Sequence, residues 1–481
     1  MKSSALTGDI AVVWLALVLF VVLAIAFLLP IQPNDYWWYV RLGGDIAATH
    51  TIPAADTYSH TRAGEPVVYH SWLAALALWG TRQLGGDGLT VLLRGGLLAL
   101  FYGLLWHICR RAGAGPRLST ALTLLAALAG SNNWAMRPQL FSYPLFALAL
   151  LGLLRWQEGH LRWGGLLPPV VLLWVNLHGA FVLAFLLAGA MLVGRKENRR
   201  GMAAVLAAMV VAALANPRGA AVWGYVYRLL TVPAVQQLAS EWQPPTLATW
   251  QGALFFGWLL AMPLLAASSP RRLNRTEWLW FLGFGWMALS SLRHVVWFVT
   301  LLALFSARLL SPLLKTAPER AVASSRRPTL NGSLALLLVT LPLALLPGFR
   351  NRWWRDAPPV LSPDTPVTAA EWLAAHPELP GPLWNDLAFS SYLIYALPER
   401  PVWIDTRFEL YPLEQWRRYR RIAGAAPDWS LLLEEEGISL VMLNPAVEEN
   451  LRAALGESPG WRMVYQDETA VIFVRATAER S

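Results

Sequence analysis

A single cysteine, Cys109, stands in 481 residues, so no internal disulfide can form and no CxxC supports a zinc site or a redox motif. Charge is scarce as well: 14% of the residues are Asp, Glu, Lys or Arg against 56% hydrophobic, and the mean hydropathy is +0.41. That balance excludes an ordinary soluble globular protein, a disordered chain and a coiled coil as readings of the whole. No GxGxxG or P-loop opens its short strand-like runs. HExxH and DxD spacings are missing too, so the metal requirement stays open. What abounds is apolar runs long enough to cross a bilayer, and the reading is an α-helical polytopic membrane protein.

The first such run extends from Ile10 to Pro30 after Lys2, roughly the 20 residues of one spanning helix. A signal peptide would be shorter and end in small residues. This run ends in Leu28, Leu29 and Pro30, so an uncleaved anchor is expected. Further spans are expected near Leu89–Ile108, Leu118–Ala129, Leu140–Leu154, Gly165–Val175, Gly179–Val193, Met202–Leu214, Gly252–Ala267, Trp278–Ser290, Val295–Leu310 and Leu334–Leu346, about eleven in all. With the N-terminus inside, the cytoplasmic loops hold Arg110, Arg111 and Arg117; Arg155 and Arg162; Arg195, Lys196, Arg199 and Arg200; Arg271, Arg272 and Arg275; and Lys315, Arg320, Arg326 and Arg327. One alternation of sides satisfies every cluster and puts the C-terminal segment outside. The net charge of +9 is thereby an orientation signal, and no basic patch with stacking aromatics is left to suggest nucleic acid. Many of the 26 Trp residues, among them Trp37, Trp38, Trp79, Trp106, Trp134, Trp163, Trp242 and Trp278, lie near span ends, where headgroup anchoring is expected.

Two stretches break the pattern and divide the chain into a membrane domain, 1–348, and a C-terminal extracytoplasmic α/β domain, 349–481. Within the former, 31–88 reads as a long outer loop carrying an amphipathic helix over Ser71–Arg82. In the latter, strands are expected at Pro382–Asn385, Val402–Asp405, Ile438–Leu443, Arg462–Tyr465 and Val471–Val474, alternating with helices and ending in a hairpin around Asp467.

Polar groups in a membrane protein are costly unless wet, paired or useful, and here they converge on the outer side. Asp35 follows the first span and could take a proton from an incoming hydroxyl, or cap the next helix. Asp56 could be a second acid or close an Asx turn. His70 could bind substrate or a metal, with a satisfied structural histidine as the plainer reading. Arg137, Arg218 and Arg293 suit a phosphate, with carboxylate pairing or snorkelling as the plainer alternative. Arg41, Glu241 and His294 fall at the same level, as do Asn176 and His178 in Asn-Leu-His-Gly, a tight hairpin or a ligand site. Asp405, Arg407 and Glu409 could contact an acceptor or form an internal ion pair.

The run Asn34-Asp35-Tyr36-Trp37-Trp38-Tyr39-Val40-Arg41-Leu42-Gly43-Gly44, with Ile52-Pro53-Ala54-Ala55-Asp56-Thr57-Tyr58-Ser59 and His70-Ser71-Trp72-Leu73, resembles the first external loop of GT-C integral membrane glycosyltransferases. Arg137-Pro138-Gln139, Asn176-Leu177-His178-Gly179 and Asn216-Pro217-Arg218-Gly219 resemble recurrent segments of bacterial proteins of this type. The resemblance covers roughly the first 310 residues. It implies a GT-C-like fold, a polyprenyl-phosphate sugar donor, a glycan, lipid or protein acceptor, a bacterial inner membrane, and a catalytic acid at Asp35. A divalent cation, Mg or Mn, is left open, since Asn34 stands where many members carry a second acid. The expected activity is inverting sugar transfer. The rival class is a transporter or a non-catalytic lipid- or glycan-binding scaffold. Transport predicts polar features on both faces and repeated halves, and the sequence has neither.

Overall fold

The computed structural model describes residues 10–232, 237–314 and 327–476; Lys2, Lys315, Arg320 and Arg326 lie outside them. The chain divides into two compact units. One comprises Met1–Leu29, Leu84–Val222 and Ser240–Pro358, the other Pro30–Gln83, Trp223–Ala239 and Pro359–Ser481. The loop after the first helix thus folds with the C-terminal segment.

The first unit is helical, and all eleven apolar stretches fall in its helices to within a residue or two. Six helices among the described residues are long and apolar enough to cross a membrane: Ile10–Leu28, Trp72–Arg111, Gln139–Gln157, Trp250–Ser268, Leu292–Leu313 and Pro328–Leu345. The count of eleven spans is therefore not met by length. Arg199–Leu214 and Arg275–Ser290, for example, have 16 residues each, about 24 Å against a hydrocarbon core of about 30 Å. The amphipathic helix expected at Ser71–Arg82 begins at Trp72 and is separated from the following span where Gly85 and Gly86 leave helical geometry.

Local chemistry sets the ends of these helices. Asn274 caps Arg275–Ser290 through a reciprocal box with Glu277, its side chain accepting the Glu277 N–H at 3.0 Å and its own N–H donating to the carboxylate at 2.7 Å. The last carbonyls of Ile10–Leu28 have no partner within the helix, and two buried arginines take them. Arg94 donates to the Ala26 and Leu29 carbonyls, and Arg350 to Phe27 at 3.0 Å. Elsewhere Arg111 and Arg155 share Glu158, and Arg271 and Arg308 share the fully buried Glu277. Several tryptophans expected as headgroup anchors are instead core residues. Trp106 and Trp134 are buried, their indole N–H groups donating to Thr120 Oγ1 and the Tyr102 hydroxyl, each at 3.1 Å, because a helix bundle offers the large rings both area and acceptors.

In the second unit a four-stranded sheet has the order β1-β2-β4-β3, with β1 Leu383–Asn385, β2 Leu440–Leu443, β3 Trp461–Gln466 and β4 Val471–Arg475. β1 and β2 are parallel, β2 and β4 antiparallel, and β3 and β4 form the expected hairpin. Both β1 and β2 are buried along their length, which explains their unbroken apolar sequence. The strand expected at Val402–Asp405 does not form. Side chains satisfy its backbone instead: Asn385 accepts the Trp403 N–H at 2.8 Å and donates to the Ile404 carbonyl at 3.0 Å, while Thr61 and Gln415 donate to the Trp403 carbonyl. Only a single bridge, Val402 to Ser59, is sheet-like. Trp37 and Trp38 are likewise buried here.

Candidate functional site

In the helical unit the singled-out polar residues gather where helices end. Arg137 precedes Gln139–Gln157, Glu241 lies in the turn Ser240–Trp242, and Arg293 and His294 lie in the turn that leads into Val295–Leu313. Glu241 draws two of them together: it accepts from Arg137 Nη1 at 2.6 Å and lies 3.2 Å from Arg293 Nη1. Ser291 Oγ donates to the Glu241 carbonyl at 3.0 Å and the Leu292 N–H to that of Gln243 at 2.8 Å, so the two turns are stitched together. Trp242 carries the Arg293 guanidinium over its face at 4.6 Å and meets the His294 ring edge-on. Burial alone would raise the Glu241 carboxyl, but Arg293 and Arg137 outweigh it and bring it down to about 2. Two guanidiniums thus share the Glu241 carboxylate.

The hairpin alternative for Asn176 and His178 describes what their side chains do. Asn176 donates to the Leu172 and Ala215 carbonyls at 2.9 and 3.0 Å. His178 Nδ1 accepts the Ala180 N–H at 3.2 Å and lies 3.0 Å from Ser142 Oγ, which accepts the Trp174 indole N–H. Asn216 closes an Asx turn, accepting the Arg218 N–H at 2.8 Å and donating to the Gly219 carbonyl at 3.0 Å.

In the second unit Asp35 holds the cap position of helix Tyr36–Thr49, but its side chain makes no capping bond. On the same helix Arg41 donates to Asp45 at 2.9 Å, and the Tyr58 hydroxyl reaches the same carboxylate at 2.8 Å. Asp56 is buried in the Asx turn foreseen for it. One oxygen accepts the Tyr58 N–H at 3.2 Å and Arg407 Nη1 at 2.5 Å, the other the Ser59 N–H and hydroxyl at 3.1 and 2.6 Å. Both carboxylate oxygens are therefore engaged, which suits a structural role. Arg407 also forks onto Asp405 at 2.9 and 2.6 Å, the ion pair weighed for Trp403–Glu409. His70 packs against the Tyr225 ring at 4.4 Å, and the Tyr225 hydroxyl donates to Glu409 at 2.9 Å. Among the described residues no three His, Cys, Asp or Glu side chains come together as metal ligands. With Asp56 held by Arg407 and Asn34 beside Asp35, the residues present do not fit a divalent cation, and no step is derived through one.

The sequence reading passed over a buried carboxyl pair just beyond β1 and β2. Asp386 and Glu448 are 3% and 2% exposed and bonded to each other, with the Tyr419 hydroxyl 3.3 Å from Glu448. Burial, and Asp386 alongside, push Glu448 up to about 9. The folded unit therefore keeps a proton that the unfolded chain releases in the ordinary carboxyl range, so stability falls as pH rises from there toward about 9, by up to about 1.4 kcal/mol per pH unit. Glu448→Gln is expected to flatten that slope in thermal unfolding followed by tryptophan fluorescence from pH 5.5 to 9. An equally steep slope in the variant would place the proton elsewhere.

No family model matches the chain, and no curated protein matches it in sequence. Solved structures do. The oligosaccharyltransferase AglB from Archaeoglobus fulgidus, in complex with an inhibitory peptide and a dolichol phosphate, aligns at a TM-score of 0.57 and 11% identity over 97% of this chain and 75% of that one. ArnT from Cupriavidus metallidurans, bound to undecaprenyl phosphate, aligns at 0.51 and 15% identity over 96% of this chain and 97% of that one. The chain has the GT-C fold. An Archaeoglobus fulgidus oligosaccharyltransferase tethered to an acceptor peptide aligns at 0.55 and 12% identity over 96% of this chain and 74% of that one. At such identities the likeness is one of fold. Within this GT-C fold, residues 30–83 and the sheet segment form one compact unit.

Proposed function

We propose that the protein is a membrane glycosyltransferase that moves a sugar from a polyprenyl-phosphate-linked donor to the hydroxyl of a glycan, lipid or protein acceptor. The observation that carries this reading is the likeness of nearly the whole chain to complexes that hold a dolichol phosphate and undecaprenyl phosphate. Asp35 is assigned as base. Its carboxylate takes the acceptor hydroxyl proton as that oxygen bonds to the anomeric carbon, and the bond from that carbon to the phosphate oxygen breaks, its electron pair leaving on the lipid phosphate. Attack opposite the leaving group inverts the anomeric centre. Arg137, Arg218 and Arg293 are assigned to the phosphate, where a fixed guanidinium stabilises the charge that develops. The proposed setting is a bacterial inner membrane, with the N-terminus cytoplasmic and the sheet segment outside.

A ligand that binds only the folded state raises apparent stability, by about 2.7 kcal/mol at a hundredfold excess over Kd. The detergent-purified protein is expected to be stabilised by undecaprenyl phosphate and by one of a panel of undecaprenyl-phosphate sugars. The effect is lost in Arg137→Ala and kept in Asp35→Asn. Lipid binding with no transfer to any acceptor would favour a carrier or scaffold of the same fold; no response to any polyprenyl lipid would overturn the reading.

A further inference from the structure

Basic stretches that the sequence presents as separate loops meet at one end of the helical unit. Glu158 accepts from Arg111 at 2.5 Å and from Arg155 at 2.8 Å, Arg195 Nη1 donates to the Gln157 carbonyl at 3.1 Å, and a Cβ at Gly194 would stand 2.5 Å from Thr276 Oγ1. The turn after helix Gln139–Gln157, the loop 195–200 and the start of helix Arg275–Ser290 therefore lie side by side. The Trp156 ring faces both Gly164 and Gly201, where a Cβ would come within 2.5 and 3.1 Å of it, so Arg162 and Arg200, just before those glycines, flank one ring.

Acids do not balance this charge. Among the described residues these loops carry Glu158, Glu197 and Glu277, and each is taken: Glu158 as above, Glu197 by Arg195 and Glu277 by Arg271 and Arg308. Arg162, Lys196, Arg200 and Arg275 are exposed and make no hydrogen bond or ion pair among the described residues. Helix Arg199–Leu214 opens on two arginines with no side-chain cap, a placement that the helix dipole disfavours unless an anion is near. Orientation in a membrane requires cations on each loop, but not that they meet without partners, and like charges so gathered repel. Exposed apolar side chains border them. Leu161 adjoins Arg162, Val193 lies three residues before Lys196, and Trp278 follows Arg275 by one helical turn, at 47%, 66% and 45% exposure. A free anion would need the cations alone; charge edged by apolar surface fits an amphiphile with an anionic head.

We propose that the turn 158–162, the loop 195–200 and the start of helix Arg275–Ser290 form a binding site for the headgroups of anionic phospholipids. It is distinct from the Arg137 cluster, which stands at the opposite end of the 19-residue helix Gln139–Gln157, about 28 Å away, and it does not depend on the role given to Asp35.

The test titrates the full-length protein in a zwitterionic detergent with phosphatidylglycerol, phosphatidylcholine of the same acyl chains, and glycerol phosphate, and counts bound molecules by native mass spectrometry. Phosphatidylglycerol is expected to be retained at least tenfold more tightly than phosphatidylcholine, and less so as salt rises, with no retention of glycerol phosphate. In the combined variant Arg162→Gln, Arg200→Gln, Arg275→Gln that preference is expected to fall about tenfold or more, since each basic side chain at a charged lipid surface contributes about fivefold. Exposed side chains without partners can be replaced at little cost in stability; should the triple variant nonetheless fail to fold, Lys196→Gln with Arg275→Gln carries the comparison. Arg137→Ala is expected to keep the preference while losing stabilisation by undecaprenyl phosphate. Equal retention of the two phospholipids, or a preference unchanged in the triple variant but lost in Arg137→Ala, would overturn the proposal. Retention of glycerol phosphate as tight as that of phosphatidylglycerol would overturn the assignment to a lipid.

Discussion

Replacing Arg407 by alanine is expected to cost the second unit about 3–5 kcal/mol, a third or more of the stability of an ordinary domain. The guanidinium is 4% exposed and donates to Asp405, Asp56 and the Tyr69 hydroxyl, with the Tyr58 ring 5.3 Å away. Removing it leaves two carboxylates facing each other in a dry interior, where each needs either a cation or a proton. Arg407→Lys is expected to recover only part of the loss, since an ammonium is a point charge and cannot fork onto one carboxylate while holding another. Thermal unfolding followed by tryptophan fluorescence reports on this directly, because Trp384 and Trp403 are fully buried in the same unit. A transition within about 1 °C of the unmodified protein, where a kcal/mol moves a domain by several degrees, would show that the cluster contributes little. Asp56→Asn is the milder companion. It keeps one of the two turn acceptors and leaves Arg407 its fork onto Asp405.

The largest effect on activity is expected from Asp35→Asn, a change that keeps size and polarity and removes the base. Transfer should fall by about 10²- to 10⁴-fold, with lipid binding retained. Helix Tyr36–Thr49 should survive, since its Trp38 N–H donates to Ser391 Oγ and the Asp35 side chain makes no capping bond. A rate within about threefold of the unmodified protein would fall below what general-base catalysis contributes and would move the role to another group. The measurement pairs with Arg137→Ala, in which binding is expected to fail first; opposite defects in the two proteins would separate chemistry from donor recognition.

The helices were legible because apolar length and basic loop clusters are local properties that a bilayer enforces on each segment separately. Each of the eleven stretches could be read without knowing its neighbours. Asn176 and His178 were legible as hairpin residues for the same reason, since their partners lie within a few positions or at an adjoining helix end. The tryptophans misled because amphipathic rings suit both a headgroup layer and a packed interior. Only the burial of Trp106 and Trp134, against Trp278 at 45% exposure, separates the two. Val402–Asp405 misled because a β-like run becomes a strand only if a neighbour pairs with it, and here side chains took its backbone groups.

By itself the sequence determined a membrane-embedded helical chain, its basic loop pattern, an α/β segment ending in a hairpin and Asp35 as the first acid after the first span. The tertiary structure alone decided which charges meet. Arg137 and Arg293 share Glu241 across 104 and 52 positions, and Asp56 finds Arg407 across 351. It also decided that Ser391, in no motif, would accept the Trp38 N–H in the first turn of the helix that follows Asp35. Composition and periodicity carry only what neighbours along the chain feel, whereas an ion pair or a borrowed cap depends on where distant segments come to rest.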